Sequence, residues 1–161
     1  MIPPDLDIAT QIAANVPDPE LPYLTLTDLG ILRSVELEHG KVVARVSPTY
    51  SGCPALDVIE KTVLDALQQA GFDARVERAL SPPWTTDWIT EEGHRKLKEN
   101  GIAPPHSTAS DKTTLFAKRQ INCPNCDSSQ TKRISEFGST PCKAQYQCNQ
   151  CLEPFEYFKC H

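Results

Sequence analysis

Two Cys-x-x-Cys knuckles, Cys123-Pro124-Asn125-Cys126 and Cys148-Asn149-Gln150-Cys151, stand with 21 residues between them. No other feature restricts the fold of this chain so tightly. Two residues between cysteines let a tight turn aim both sulfurs at one ion, and four thiolates fill the tetrahedral shell of zinc with no open position. Residues 131–137 and 144–147, followed by Phe155-Glu156-Tyr157-Phe158, alternate as short strands do. The pattern predicts a zinc ribbon over residues 120–161, a length that holds a core poorly without such a staple. An iron–sulfur cluster is the alternative occupant of four cysteines, but strands between the knuckles favour zinc. Cys142, Cys160 and His161 lie outside the knuckles and could form a second, incomplete metal site or a labile disulfide.

Composition bounds the rest. A chain of 161 residues with 39% hydrophobic side chains has room for one ordinary domain and a smaller second one. Net charge is -5, with 9 basic and 16 acidic side chains in residues 1–105, 3 and 1 in 106–119, and 4 and 4 in 120–161. No segment is a basic patch, so nucleic acid is not an expected partner. No run has the apolar length needed to span a bilayer, and Met1-Ile2-Pro3-Pro4-Asp5 lacks the parts of a signal peptide. The expectation is a cytoplasmic protein without membrane association. Seven cysteines, crowded after residue 120, then read as metal ligands in a reducing compartment rather than as a disulfide framework.

In the first hundred residues, Leu6, Ala9, Ile12 and Ala13 line one side of a short helix that ends before Pro17. Val16-Pro17-Asp18-Pro19-Glu20-Leu21-Pro22 must run as an extended loop, expected to present Asp18 and Glu20 outward. Asp28-Leu29-Gly30 leads into a strand over 31–38 that places Ile31, Val35 and Leu37 on one face. His39-Gly40 turns the chain back into a second strand over 41–47, giving a hairpin with one buried face. Beyond Thr49-Tyr50-Ser51-Gly52, Cys53 precedes Pro54, which suits a first helical position. Apolar residues from Ala55 to Ala70 then recur at helical spacing until Gly71.

This makes Cys53 the expected N-cap, where unpaired N–H groups and the helix dipole favour thiolate. The alternative reading is a small buried residue at a strand–helix junction. A third strand follows over 73–80, so the order is helix, strand, strand, helix, strand. The expected class is α+β: a small two-layer α/β sandwich with helices on one face, followed by the ribbon. Thr90 caps a further helix that carries Leu97 and stops at Asn100-Gly101. The expected division is a domain over 1–102, a linker over 103–119 and the ribbon over 120–161.

With these residues laid out, the first 105 positions resemble the metal–sulfur cluster assembly domain family, through Asp18-Pro19-Glu20, Asp28-Leu29-Gly30, Gly52-Cys53-Pro54 and Pro82-Pro83-Trp84. With the ribbon tail included, the whole chain is similar to the accessory subunits, called D, of bacterial phenylacetyl-CoA epoxidase systems in aerobic phenylacetate degradation. The resemblance implies a maturation factor that assists iron or iron–sulfur cluster insertion into client subunits. Two clients are implied: a reductase with flavin and a two-iron cluster, and a di-iron oxygenase. Cys53 matches the family's single cysteine, and Asp18 and Glu20 match its acidic pair. One thiolate with two carboxylates would hold iron loosely enough to release it, as transient cargo. Asp18 and Glu20 could equally be solvated loop charges, and Trp84 either a lid over the sheet or a docking aromatic.

The resemblance therefore leads to a non-catalytic accessory factor, with a structural adaptor of the oxygenase complex as the alternative. A cysteine-nucleophile enzyme would need a histidine base, and His39, His94, His106 and His161 fall in no motif that sets one beside Cys53. A homodimer uniting two Cys53 loops would supply the extra ligands that a bridging cluster requires.

Overall fold

The computed structural model describes residues 4–50, 52–105 and 120–159. It divides into two compact units, Met1–Thr90 and Glu91–His161.

The first unit is built from α1 (Leu6–Ala14), β1 (Leu32–Glu38), β2 (Lys41–Val46), α2 (Ala55–Gln69) and β3 (Ala74–Arg78), closed by a 3₁₀ turn at Thr86–Trp88. Asp5 starts α1 by accepting hydrogen bonds from the N–H groups of Asp7 and Ile8. β1 and β2 form the expected antiparallel hairpin, and its two turn residues, His39 and Gly40, both have positive φ (49° and 80°). β3 lies parallel to β2 on its other side, as the crossover through α2 requires, so β2 is the central strand. The helices pack on the sheet and on each other, α1 against β1 and α2 against β3. Ile59, Val63 and Leu67 are the buried stripe of α2.

β2 departs from the expected single buried face, because Val43 is as fully enclosed as Val42, Ala44 and Val46. Val43 pairs with Glu36 on one side and Arg75 on the other. Around it Arg45 is ion-paired to Glu36, Glu38 and Glu77, and Arg75 to Glu38 and Glu77. Long charged side chains lay their apolar stems over such a residue while their heads stay in water. β1 differs as well. Ile31 precedes the strand and is buried, but Leu37, near the far end of this edge strand, is 44% exposed.

The second unit contains α3 (Glu91–Glu99), β4 (Ile102–Ala103), β5 (Thr131–Ser135), β6 (Lys143–Cys148) and β7 (Pro154–Phe158). Its sheet runs β4-β7-β6-β5, with β6 antiparallel to both long neighbours and β4 parallel to β7. Ala103, Ile121, Cys123, Cys148, Phe155 and Tyr157 form its core, with Tyr146 stacked on Phe155 at 5.8 Å. The expected first domain ended at 102, whereas α3 and β4 group with the ribbon: Ile102 and Ala103 pair with Glu156 and Tyr157. Of the expected linker, residues 106–119 lie outside the described residues.

A four-sulfur metal centre and the loops at the Cys53 end of the sheet

In the ribbon the two knuckles close on each other. Cys123 leads the first turn, whose fold is fixed by Asp127 N–H donating to the Cys123 carbonyl and Cys123 N–H to that of Ser128, each at 2.9 Å. Cys148 ends β6 and begins the second turn. The four Sγ atoms lie within 4.8 Å of one another, with Cys123 to Cys151 at 3.7 Å and Cys126 to Cys148 at 3.6 Å. A tetrahedral ion with metal–sulfur bonds of about 2.3 Å spaces its sulfurs by about 3.8 Å, so the site fits a single metal ion. Cys123 and Cys148 are buried, Cys151 is half-buried and Cys126 is exposed. The residues expected to hold the ribbon metal are therefore brought together, all four of them.

The electrostatics of the cluster call for a cation. Backbone N–H groups of Cys151 and Gln150 point at Cys148 Sγ from 3.5 and 3.4 Å. They draw its thiol down to about 6 against the opposing effect of burial, the Cys151 N–H contributing most. At Cys126 the Ser128 N–H pulls the same way, but the loss of hydration at a sulfur turned toward Cys148, Cys151 and Cys123, together with those sulfurs, outweighs it and pushes the thiol up to about 12, although the residue as a whole is exposed. Sulfurs this close cannot all ionise by themselves, and a bound cation lets all four become thiolates. Asn125 adds a side-chain N–H aimed at Cys151 Sγ from 3.9 Å. The position of Asn125 inside a knuckle is the one signal for this supporting contact in the sequence.

Cys142, the first of the three residues outside the knuckles, is buried, with its Sγ 3.0 Å from Thr140 Oγ1. Cys160 and His161 lie outside the described residues.

In the first unit, the register sets which loops meet. Leu32, the start of β1, pairs with Val46, the end of β2, and Val46 also pairs with Arg78, the end of β3. The loop carrying Asp18, the loop carrying Cys53 and the segment carrying Trp84 therefore all leave one end of the sheet. Ser47 fastens that end: its N–H donates to the Ile31 carbonyl at 2.9 Å and its hydroxyl to the Ala79 carbonyl at 2.7 Å.

Cys53 is half-buried and free, on a loop bent by Gly52 at φ 80°. The regular hydrogen bonding of α2 starts at Ala55 and makes Pro54 the cap residue, but Pro54 is already helical (φ -68°, ψ -21°), so Cys53 stands at the helix entry within one residue of the expected cap, its carbonyl accepting from Leu56 N–H at 3.2 Å.

Asp18 is not presented outward. It is 7% exposed, and its Oδ1 accepts from the N–H groups of Glu20 and Leu21, both at 2.8 Å, which folds the proline-rich loop on itself. Glu20 is half-buried. Among the described residues, the four ribbon cysteines are the group of convergent metal ligands, and Cys53, Asp18 and Glu20 do not make another.

The Asp28-Leu29-Gly30 motif is a receiving surface for the segment after β3. Trp84 is buried and its indole N–H donates to the Leu29 carbonyl at 2.8 Å. Thr90 N–H donates to the Asp28 carbonyl at 2.9 Å, and Asp28 Oδ2 in turn accepts from Thr25 N–H at 3.0 Å. Gly30 lies so close to Trp88 that a Cβ there would come within 2.5 Å of the Trp88 carbonyl oxygen. Arg33, at the irregular start of β1, sets its guanidinium 3.5 Å from the Trp88 ring centroid. Of the two roles open to Trp84, lid and docking aromatic, the burial is that of a lid.

Residues 13–80 match the family described as iron–sulfur cluster assembly protein, and residues 107–159 match the PaaD zinc beta ribbon domain. The solved structure of a domain of unknown function, DUF59, from Bacillus anthracis covers 57% of this chain and 90% of its own, at 22% identity and a TM-score of 0.52, and shows the fold of the N-terminal part. An iron–sulfur assembly domain joined to a zinc beta ribbon is thus the class of protein defined here. Over 160 residues the chain is 43% identical to the Escherichia coli (strain K12) protein provisionally named as the D subunit of 1,2-phenylacetyl-CoA epoxidase, covering 98% of this chain and 94% of that one. The chain belongs to that family of epoxidase D subunits.

Proposed function

We propose that this protein is a non-catalytic accessory factor of a phenylacetyl-CoA epoxidase, in which the first unit assists delivery of iron or an iron–sulfur cluster and the ribbon recognises a partner subunit. The observation that carries the reading is the whole-chain relationship to the epoxidase D subunit, together with the two family domains in tandem. Cys53 supports it as a free thiol outside the four-sulfur cluster, half-open at the sheet end where three loops converge. Asp18 serves that end by shaping its loop through two backbone hydrogen bonds. A carboxylate so engaged is a positioning group, and any iron met at Cys53 would need its other ligands from the client.

The ribbon metal in this reading is zinc. The sulfur spacing supports it, because an iron–sulfur cluster spreads four cysteines over several irons and holds them farther apart than one tetrahedral ion does. Zinc there supplies folding free energy and has no turnover role. The adaptor reading remains the competitor. Co-production of the oxygenase and reductase with wild-type or Cys53→Ser chain separates them: iron-poor partners with the variant support delivery, whereas fully loaded partners and an intact complex support the adaptor.

A further inference from the structure

The ribbon's outer strand carries a surface that neither the metal centre nor the core uses. β5 is the edge of its sheet among the described residues, and from Lys132 to Ser135 every residue is exposed. Ile134 is the extra residue of a bulge, set between the pairs Arg133–Tyr146 and Ser135–Gln145, and it is 56% exposed. Phe137, just beyond, is 63% exposed, with the Lys159 ammonium 4.5 Å from its ring centroid. Most arginines among the described residues have a partner for their charge. Arg45, Arg75, Arg78 and Arg95 are ion-paired with carboxylates and Arg33 lies on Trp88. Lys132 and Arg133 have no carboxylate within ion-pair distance among the described residues, on a chain whose net charge is -5.

An open strand edge offers backbone donors and acceptors to an added strand. Lysine and arginine on such an edge disfavour a second copy of it, because like charges would meet, but they favour a segment of opposite charge. Exposed Ile134 and Phe137 add apolar area that water leaves on contact.

We propose that the β5 edge from Lys132 to Phe137 is the surface by which the ribbon holds an extended segment of an epoxidase subunit, with acidic side chains against Lys132 and Arg133 and an apolar one against Ile134. This deepens the ribbon's part in the proposed function and rests on it. The test measures binding of purified epoxidase oxygenase–reductase complex to the full chain, as wild type, Lys132→Glu/Arg133→Glu and Ile134→Thr, at low and physiological salt. Metal content of each variant is read alongside.

The expected result is wild-type binding that weakens with salt, a loss of about tenfold or more for the double charge reversal and a smaller loss for Ile134→Thr, all with metal retained. Wild-type binding that both variants leave unchanged overturns the β5 surface while the accessory reading stands. No binding by the wild type, or binding only to single-stranded nucleic acid or to a second copy of the chain, overturns the surface and the accessory reading together.

Discussion

The Trp84 indole N–H donates to the Leu29 carbonyl at 2.8 Å, across 55 residues of chain. This bond fastens the segment that follows β3 onto the loop that precedes β1. Replacing Trp84 by Phe keeps most of the apolar contact but leaves a buried carbonyl without its donor, an expected cost of about 2 kcal/mol. Trp84→Ala, which also opens a cavity, is expected to cost about 4 kcal/mol. Urea unfolding followed by circular dichroism measures both.

Two glycines with positive φ separate strain from crowding. Gly40 has φ 80°, and a methyl placed on it would meet nothing within 4 Å, so Gly40→Ala is expected to cost about 1 kcal/mol from backbone conformation alone. Gly30, at φ 67°, would drive its methyl into Trp88, so Gly30→Ala is expected to cost about 3 kcal/mol or more. Equal costs in chemical unfolding would contradict the close approach of Gly30 to Trp88.

A pair of buried hydroxyls gives opposite signs. Ser47 donates to Ala79, and Ser47→Ala is expected to lower stability by about 1 kcal/mol. Thr86 is 2% exposed and its Oγ1 has no hydrogen-bond partner among the described residues, so Thr86→Val, of nearly equal shape, is expected to be neutral or stabilising by up to about 1 kcal/mol. Thermal or urea midpoints of the two variants check the contrast.

Metal uptake should be linked to protons. In the metal-free cluster Cys148 is lowered from 9.0 to about 6, so its stabilising contribution is present above pH 9 and is lost as pH falls through 6. Cys126 is raised to about 12, so its contribution is present below 9 and is lost as pH rises through 12. At pH 7 the coupled sulfurs therefore still hold protons that the metal must displace. Zinc titration in buffers of different ionisation enthalpy is expected to show proton release and an affinity that rises with pH. Uptake without proton release would contradict the four-thiolate site.

How far the sequence can be read follows from the range of the interactions. The ribbon is legible because two-residue knuckles and strand alternation are local constraints, and all four cysteines converge as their spacing requires. The hairpin at His39-Gly40 and the stripe on α2 are legible for the same reason. The burial of Asp18 is not, because its partners are backbone N–H groups two and three residues on, which side-chain polarity does not reveal. The cap of α2 is legible only to within one position, because proline fits the start of a helix whether it is counted as the cap or as the first turn. β4 escapes notice because a two-residue strand has no period, and its partner β7 lies more than fifty residues away.

Whether Cys53 serves delivery of iron to the epoxidase is tested most directly by the iron content and activity of oxygenase and reductase co-produced with wild-type or Cys53→Ser chain. Cys53 is half-buried and outside the ribbon cluster, so the variant is expected to keep its fold and its ribbon metal. Iron-poor partners, with activity reduced about tenfold or more, are the expected result, a loss equivalent to at least about 1.4 kcal/mol. Partners fully loaded and active beside Cys53→Ser would contradict it.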